Sequence, residues 1–327
     1  MTRPETERCI LDILSCLLAL GISMGSWACA RNSQNIRQNM LKEYPEALER
    51  QKAANAREQE EALKKIPELP AEGHESQGDQ CLVQGNADGA FFQYAKALRL
   101  NPRQIRVRYK MGRLFLEKGL LEEAKKEFQE ILKVDPNHAL SHEGMGMVNI
   151  KLGKLEEAEK FFQKAIELDS HLWQAHNFLG VIYYREKQFE LAIMQYKASI
   201  ALQPGEGFLF NNLGVSLFLN GEYDKAMQAF LEALRIEDSN QKIYGNLALA
   251  LCKLEKYQEG LEAFKRAGNE ASAYYNLGRV YMLKKKYKEA IESFEKAIQL
   301  KSSFYTKAYE NLKRAREATG SPSQPAP

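Results

Sequence analysis

The sequence predicts an all-α fold: a solenoid of about seven helix–turn–helix repeats closed by a C-terminal capping helix. Three periodic observations predict it. Gly78, Gly112, Gly146, Gly180 and Gly214 are spaced by 34 residues each, and Ala248 stands a further 34 on. Twelve residues after each comes a small residue (Ala90, Ala124, Ala158, Ala192, Ala226, Gly260), and four beyond that an aromatic: Tyr94, Phe128, Phe162, Tyr196, Phe230, Phe264. Ala97, Ala165, Ala233 and Ala267 follow, and Pro102, Pro136 and Pro204 close three of the repeats. A fixed period of this length marks stacked helical pairs, none of which can bury its apolar face alone.

Residues 1–30 come first. The run "CILDILSCLLALGISMGSWACA" (9–30) is the one long apolar stretch, preceded by Arg3 and Arg8 and followed by polar chain. That is the layout of a secretory signal. Three fates fit it. Cleavage before Cys29, with the small Ala28 ahead of it, gives a lipidated N-terminus. Ordinary cleavage after Ser26-Trp27-Ala28 is the second. An uncleaved anchor is the third, because 22 residues suffice to span a bilayer. Each fate places the repeats outside the cytoplasm of a bacterial cell.

Residues 31–70 read as a charged, partly helical tether. Eight basic and seven acidic residues are mixed with no glycine. Glu46/Arg50, Glu60/Lys64 and Glu61/Lys65 are helix-stabilising pairs in the favourable order.

The solenoid occupies 71–318, with repeats at 71–104, 105–138, 139–172, 173–206, 207–240, 241–270 and 271–304 and a cap at 305–318. Positions below count from the first residue of each repeat. Small residues at position eight let helix A and helix B approach, and the aromatic of helix B fills the space. Proline ends helix B because the residue before it disfavours the helical region. The stacked pairs form one continuous core. The cap presents Lys307, Glu310, Lys313 and Arg314 outward. Residues 319–327, "GSPSQPAP" at their end, are a polar tail.

The count slips once. Gly278 follows Ala248 by only 30 residues, so repeat six lacks four. Gly268-Asn269 reads as a helix C-terminal cap and tight turn, which leaves helix B of this repeat about one turn short. The seventh repeat should then sit on the sixth at an altered angle.

The best copy, "WQAHNFLGVIYYREKQFELAIMQYKASIALQP" (173–204), resembles the tetratricopeptide repeat family. That resemblance implies a right-handed superhelix whose concave face binds protein. A narrower resemblance lies in "RAGNEASAYYNLGRVY". Gly268, Glu270, Ala271, Ala273, Asn276, Leu277 and Gly278 match the string between two late repeats of TadD-type proteins, which serve assembly of Flp (tight-adherence) pili. It implies an outer-membrane lipoprotein lipidated at Cys29, with the repeats in the periplasm and envelope or pilus-assembly proteins as partners.

Chemistry is sparse. A net charge of +3 over 327 residues is not that of a polyanion binder, so no nucleic-acid partner is expected. Of five cysteines, Cys81 and Cys252 lie five repeats apart and cannot bridge. His138 and His142 are four apart with Glu143 next, a spacing that can ligate a metal. But His142 and His176 share the fourth repeat position, where the family places a bulky packing residue. No metalloprotease, phosphate-loop or nucleophile-elbow motif is present. No catalysis, cofactor or small-molecule substrate is expected.

What remains is a binding scaffold. Helix A lines the concave face through positions 2, 5, 6, 9, 12 and 13. Asn212, Asn246 and Asn276 share position six, with Asn177 and Asn211 beside them at position five. Amides donate and accept, so a row of them suits the backbone of an extended peptide. This resembles the asparagine ladder of some tetratricopeptide superhelices. Tyr184, Phe208, Phe218, Tyr275 and Met282 would add apolar contacts, and Arg113, Arg185 and Arg279 would favour acidic segments. Position six is read as facing the groove rather than the core. Two other functions stay open: a pilotin-like or general periplasmic adaptor, and a co-chaperone or non-catalytic enzyme subunit. A co-chaperone needs a carboxylate clamp, of which Lys110 and Arg113 are the available parts.

Overall fold

The computed structural model describes residues 69–300 and 306–320, and within them every regular element is a helix. Seven A/B pairs run in order: α1 (Ala71–Val83) and α2 (Ala87–Leu100), α3 (Ile105–Glu117) and α4 (Leu121–Val134), α5 (Ala139–Leu152) and α6 (Leu155–Leu168), α7 (Trp173–Arg185) and α8 (Phe189–Leu202), α9 (Gly207–Leu219) and α10 (Tyr223–Ile236), α11 (Gln241–Lys253) and α12 (Tyr257–Ala267), α13 (Glu270–Leu283) and α14 (Tyr287–Leu300). The helix α15 (Thr306–Ala318) follows. The signal with Cys29, residues 31–68 of the tether and residues 321–327 of the tail lie outside the described residues.

Each pair closes on one packing device. The helix B aromatics Tyr94, Phe128, Phe162, Tyr196 and Phe294 are fully buried. Each ring lies under the small residue at position eight of its own helix A. A methyl added at Gly112 would stand 2.7 Å from Phe128 Cε1, and one at Gly180 the same distance from Tyr196 Cε1. Glycine is therefore present to admit a ring. Repeat six moves the methyl: Ala248 takes position eight, and helix B has Gly260 where the others have alanine. A methyl at Gly260 would meet Cys252 Sγ at 2.7 Å, so the exchange makes room for that sulfur.

The A–B turn needs one left-handed residue, at position 15. Gly85, Gly119, Gly153 and Gly221 supply it, while Lys187, Glu255 and Lys285 adopt it with φ of 61°, 63° and 58°. Each of those three costs about 1 kcal/mol relative to glycine.

The slip resolves into three local changes. Helix α12 has 11 residues where the other B helices have 14. The following connection is two residues, 268–269, where the earlier ones are four. Helix α13 starts one residue early. Gly268 is the C-cap of α12, as read from the sequence, with a φ of −167°, extended backbone rather than left-handed. Asn269 belongs to the next helix, whose N-terminus it caps by accepting from the Ser272 amide at 2.8 Å. The Gly-Asn pair thus serves both ends: Gly268 closes one helix and Asn269 opens the next.

The core is not one continuous body. A single apolar cluster runs from Ala158 to Val280, through repeats four, five and six and into helix A of repeat seven. Three smaller clusters flank it: Tyr94 with Val107, Met111 and Leu114 of the next repeat, Phe128 with Met145 and Val148 of the next, and Phe294 with Leu312 and Ala315 of α15. The first two breaks fall inside repeats two and three, between helix A and helix B, and Phe115 packs against both of the first two clusters. At the other end Ala308, Leu312 and Ala315 of α15 cover the last apolar face, with Lys307, Glu310, Lys313 and Arg314 exposed. Arg316 ties this helix to Glu295 at 2.7 Å.

Candidate partner-binding surface

Helix A of each repeat buries one side against its helix B and its neighbours. Its remaining side forms the inner wall of the stack. That wall changes character along the array.

In repeats one and two it is self-neutralised. Lys110 Nζ donates to Glu75 Oε1 at 2.7 Å and to Asp79 Oδ2 at 2.6 Å. Arg106 donates to Glu75 Oε2 at 2.7 Å, and the Tyr94 hydroxyl donates to Asp79 at 2.7 Å. Burial raises both carboxyl pKa values, but the hydrogen bonds and positive charges outweigh it and hold both below the usual carboxylate range. Arg113 Nη1 donates to Tyr109 Oη at 3.3 Å, and Nη2 lies 3.9 Å from Glu117. Neither Lys110 nor Arg113 is a spare cation, which removes the parts of a carboxylate clamp.

Repeat three contributes Glu143, which is 2 % exposed. Its Oε1 is buried without a hydrogen-bond partner. Burial raises its pKa, against the opposing pull of Arg113.

The asparagines separate. Asn246 Nδ2 donates to Asn211 Oδ1 at 2.9 Å, linking position six of repeat six to position five of repeat five. Asn211 is buried, so this amide pair belongs to the stack. Lys110 and Glu75 occupy the same two positions one repeat apart. Asn212 and Asn276 are half-buried, and Asn177 Oδ1 is buried without a partner. Position six is not purely a groove position. Phe178 stacks on the buried Phe162 of the preceding repeat with centroids 5.2 Å apart, and a methyl at Gly144 would meet Phe128 Cζ at 2.5 Å. The position faces the preceding repeat's aromatic as well as the wall.

The rings divide likewise. Tyr275 packs 5.9 Å from Phe294, its hydroxyl accepts from Asn311 Nδ2 at 3.2 Å, and Arg279 lies 5.9 Å over its face. Tyr184 and Phe218 are half-buried, with Phe189 and Tyr223 at 6.3 and 5.3 Å. Phe208 remains exposed beside Trp173.

The fourth position is polar rather than simply bulky in the early repeats. His74 meets Gln93, Arg108 meets Glu127 and His176 meets Gln195, at 2.8, 2.7 and 2.8 Å. All three pairs are 19 residues apart and fasten helix A to helix B. His142 Nε2 reaches the Pro136 carbonyl at 2.8 Å, and His138 caps α5 through the Ser141 amide at 3.2 Å. Among the described residues no group of three or more potential ligands is placed to hold a metal, and no helix is long and apolar enough to cross a membrane. Burial pushes the Cys252 thiol up to about 11, so it is no nucleophile at neutral pH.

Family models described as tetratricopeptide repeat match residues 82–146, 139–172, 174–206, 207–240 and 271–304. The shortened repeat, 241–270, falls between them. No curated protein matches the chain. Among solved structures, a MamA fragment from Desulfovibrio magneticus is 20% identical, covering 50% of this chain and 92% of that one with a TM-score of 0.46. YrrB, described as having an unusual peptide-binding site, is 22% identical over 56% of this chain and 96% of its own, TM-score 0.48. A tetratricopeptide repeat protein from Parabacteroides merdae is 16% identical over 75% and 98%, TM-score 0.48. With these models spanning most of the helical array, and one ring-under-small-residue device packing each pair, the chain belongs to the tetratricopeptide repeat family.

Proposed function

We propose that this protein is a non-catalytic scaffold at a bacterial envelope membrane, whose inner wall holds an extended segment of a partner protein during Flp-type pilus or secretion-system assembly. One observation carries the binding reading. The wall of repeats four to seven keeps amides and apolar side chains accessible, with Asn212 and Asn276 half-buried and Phe208, Leu219, Leu249 and Leu283 exposed. The same wall in repeats one and two is spent on its own ion pairs. The engaged Lys110 and Arg113 speak against a co-chaperone tail adaptor.

The amide test needs a choice of residues. Asn246→Ala would leave Asn211 Oδ1 buried and unpaired, confounding binding with stability. Asn212→Ala with Asn276→Ala avoids this. Two lost amide bonds at about 1 kcal/mol each should weaken partner capture roughly thirtyfold, with unchanged circular dichroism. A folded double variant that captures envelope proteins at full strength would move the site elsewhere.

The envelope reading rests on the apolar run 9–30, on Ala28 before Cys29, and on the TadD-like string from Gly268 to Gly278. Cys29→Ser should abolish lipid labelling and release the protein from membranes, while Cys81→Ser should do neither. Membrane retention and unchanged mass in the Cys29 variant would establish an uncleaved anchor instead.

A further inference from the structure

Positions 9 and 13 of helix A are one turn apart, so they stand on one face as a rung. Read down the array, the rungs have a composition. Repeats three, four and six present an apolar residue and then a cation: Met147/Lys151, Val181/Arg185 and Leu249/Lys253. Repeat five is wholly apolar, Val215/Leu219, and repeat seven reverses the order, Arg279/Leu283. Met147, Val181 and Val215 are half-buried, Leu249 is exposed, and all four cations are exposed. The first two rungs differ: Asp79 is tied to Lys110, and Arg113 faces Glu117.

The four cations lack carboxylate partners among the described residues. Lys253 and Arg279 lie over the rings of Tyr223 and Tyr275, which leaves their charge uncompensated. Four lysines on the B helices are paired instead. Lys133, Lys164, Lys225 and Lys265 pair with Glu130, Glu167, Glu222 and Glu262 at 2.6, 3.1, 2.6 and 2.9 Å. At the six wall positions of repeats three to seven, the single carboxylate is the buried Glu143.

On the reading that this wall is the binding surface, we propose that repeats three to seven take an extended segment in which acidic residues alternate with large apolar ones. Its carboxylates meet Lys151, Arg185, Lys253 and Arg279, and its apolar side chains lie along Met147, Val181, Val215 and Leu249. Charge complementarity selects this occupant. Spacing sets its length. Packed helices stand roughly 10 Å apart, and an extended polyproline-II chain rises about 3.1 Å per residue with about three residues per turn, so each rung spans about three residues and every third side chain faces the wall alike. Five rungs then need a segment of about 15 residues.

The test uses the full-length protein in a non-ionic detergent and fluorescence anisotropy with synthetic peptides of that length, repeating Glu-Leu-Ser. Replacing every glutamate by glutamine should weaken binding about tenfold, as several exposed pairs of modest strength would give. The variant Lys151→Glu/Arg185→Glu/Lys253→Glu should lose a similar factor, keep its circular dichroism, and bind a Lys-Leu-Ser peptide better than wild type does. Raised salt should erase the difference between the acidic and neutral peptides. Equal binding of the glutamine peptide would overturn the charge assignment while leaving a groove scaffold in place. Single-stranded polythymidine bound as tightly as the acidic peptide would overturn it in favour of a polyanion site. Failure of both peptides to bind would also overturn it.

Discussion

Gly214→Leu should break the array in its middle. A methyl there would stand 2.6 Å from Phe230 Cε1, 2.7 Å from Cδ1 and 3.0 Å from Cζ. The ring cannot yield: Phe230 is 1 % exposed and belongs to the largest cluster. Overpacking costs about 1–3 kcal/mol for small insertions, and a whole leucine between two packed helices lies at or beyond the top of that range. The damage should also travel. Each repeat is stabilised chiefly by its neighbours, so loss of the fifth removes one interface from the fourth and one from the sixth. Thermal unfolding should separate into two transitions, and limited proteolysis should cut first within 207–240. A control isolates the mechanism. Gly214→Ala combined with Phe230→Leu trims the ring as it adds the methyl, so the double variant should be less destabilised than the sum of the singles. Simple additivity would show that ring and glycine are not partners.

The fold was legible because the packing device is local and repeats. A glycine and an aromatic 16 residues apart touch in one repeat after another, so spacing alone reveals the contact. The slip was legible for the same reason. What stayed hidden depends on comparing neighbouring repeats. The Asn246–Asn211 bond joins position six of one repeat to position five of the one before, and a single-repeat reading assigns both amides to a ligand. Position six was misplaced similarly, since only the stack shows Phe178 against Phe162. Glu75 and Asp79 drew no reading from the sequence, and Lys110 was read only as a possible clamp part. Their pairing at 31 and 35 residues apart emerges only when two helices A lie side by side. The position 9 and 13 rungs were readable in principle, as columns down the aligned repeats rather than along the chain.

Lys110→Met should cost more than its surface position suggests, and its cost should depend on pH in a diagnostic direction. Lys110 is the shared donor of two carboxylates, and its side chain is 27 % exposed. Glu75 is 4 % exposed, so removing the lysine leaves a buried charge held by Arg106 and by the Gln104 amide at 3.2 Å. Asp79 keeps the Tyr94 hydroxyl. Breaking a buried ion pair from one side costs about 3–5 kcal/mol, and the partial exposure here brings the expectation to roughly 2–3 kcal/mol at neutral pH. The sign of the pH effect follows from the two pKa directions. In the wild type both folded-state values lie below their unfolded ones, so the pair stabilises the fold above the unfolded pKa and loses that stability as pH falls. In the variant Arg106 still holds Glu75, but the share of the lowering that Lys110 supplies at both carboxyls is gone. Protonation then costs the variant less stability than it costs the wild type. The stability gap measured by urea unfolding should therefore be widest near neutrality and shrink as pH falls through the carboxylate range. A Lys110→Met/Glu75→Gln double variant should recover much of the loss at neutral pH, because no buried charge remains. A gap that stays constant with pH would mean that Lys110 contributes through its aliphatic stem rather than through its charge.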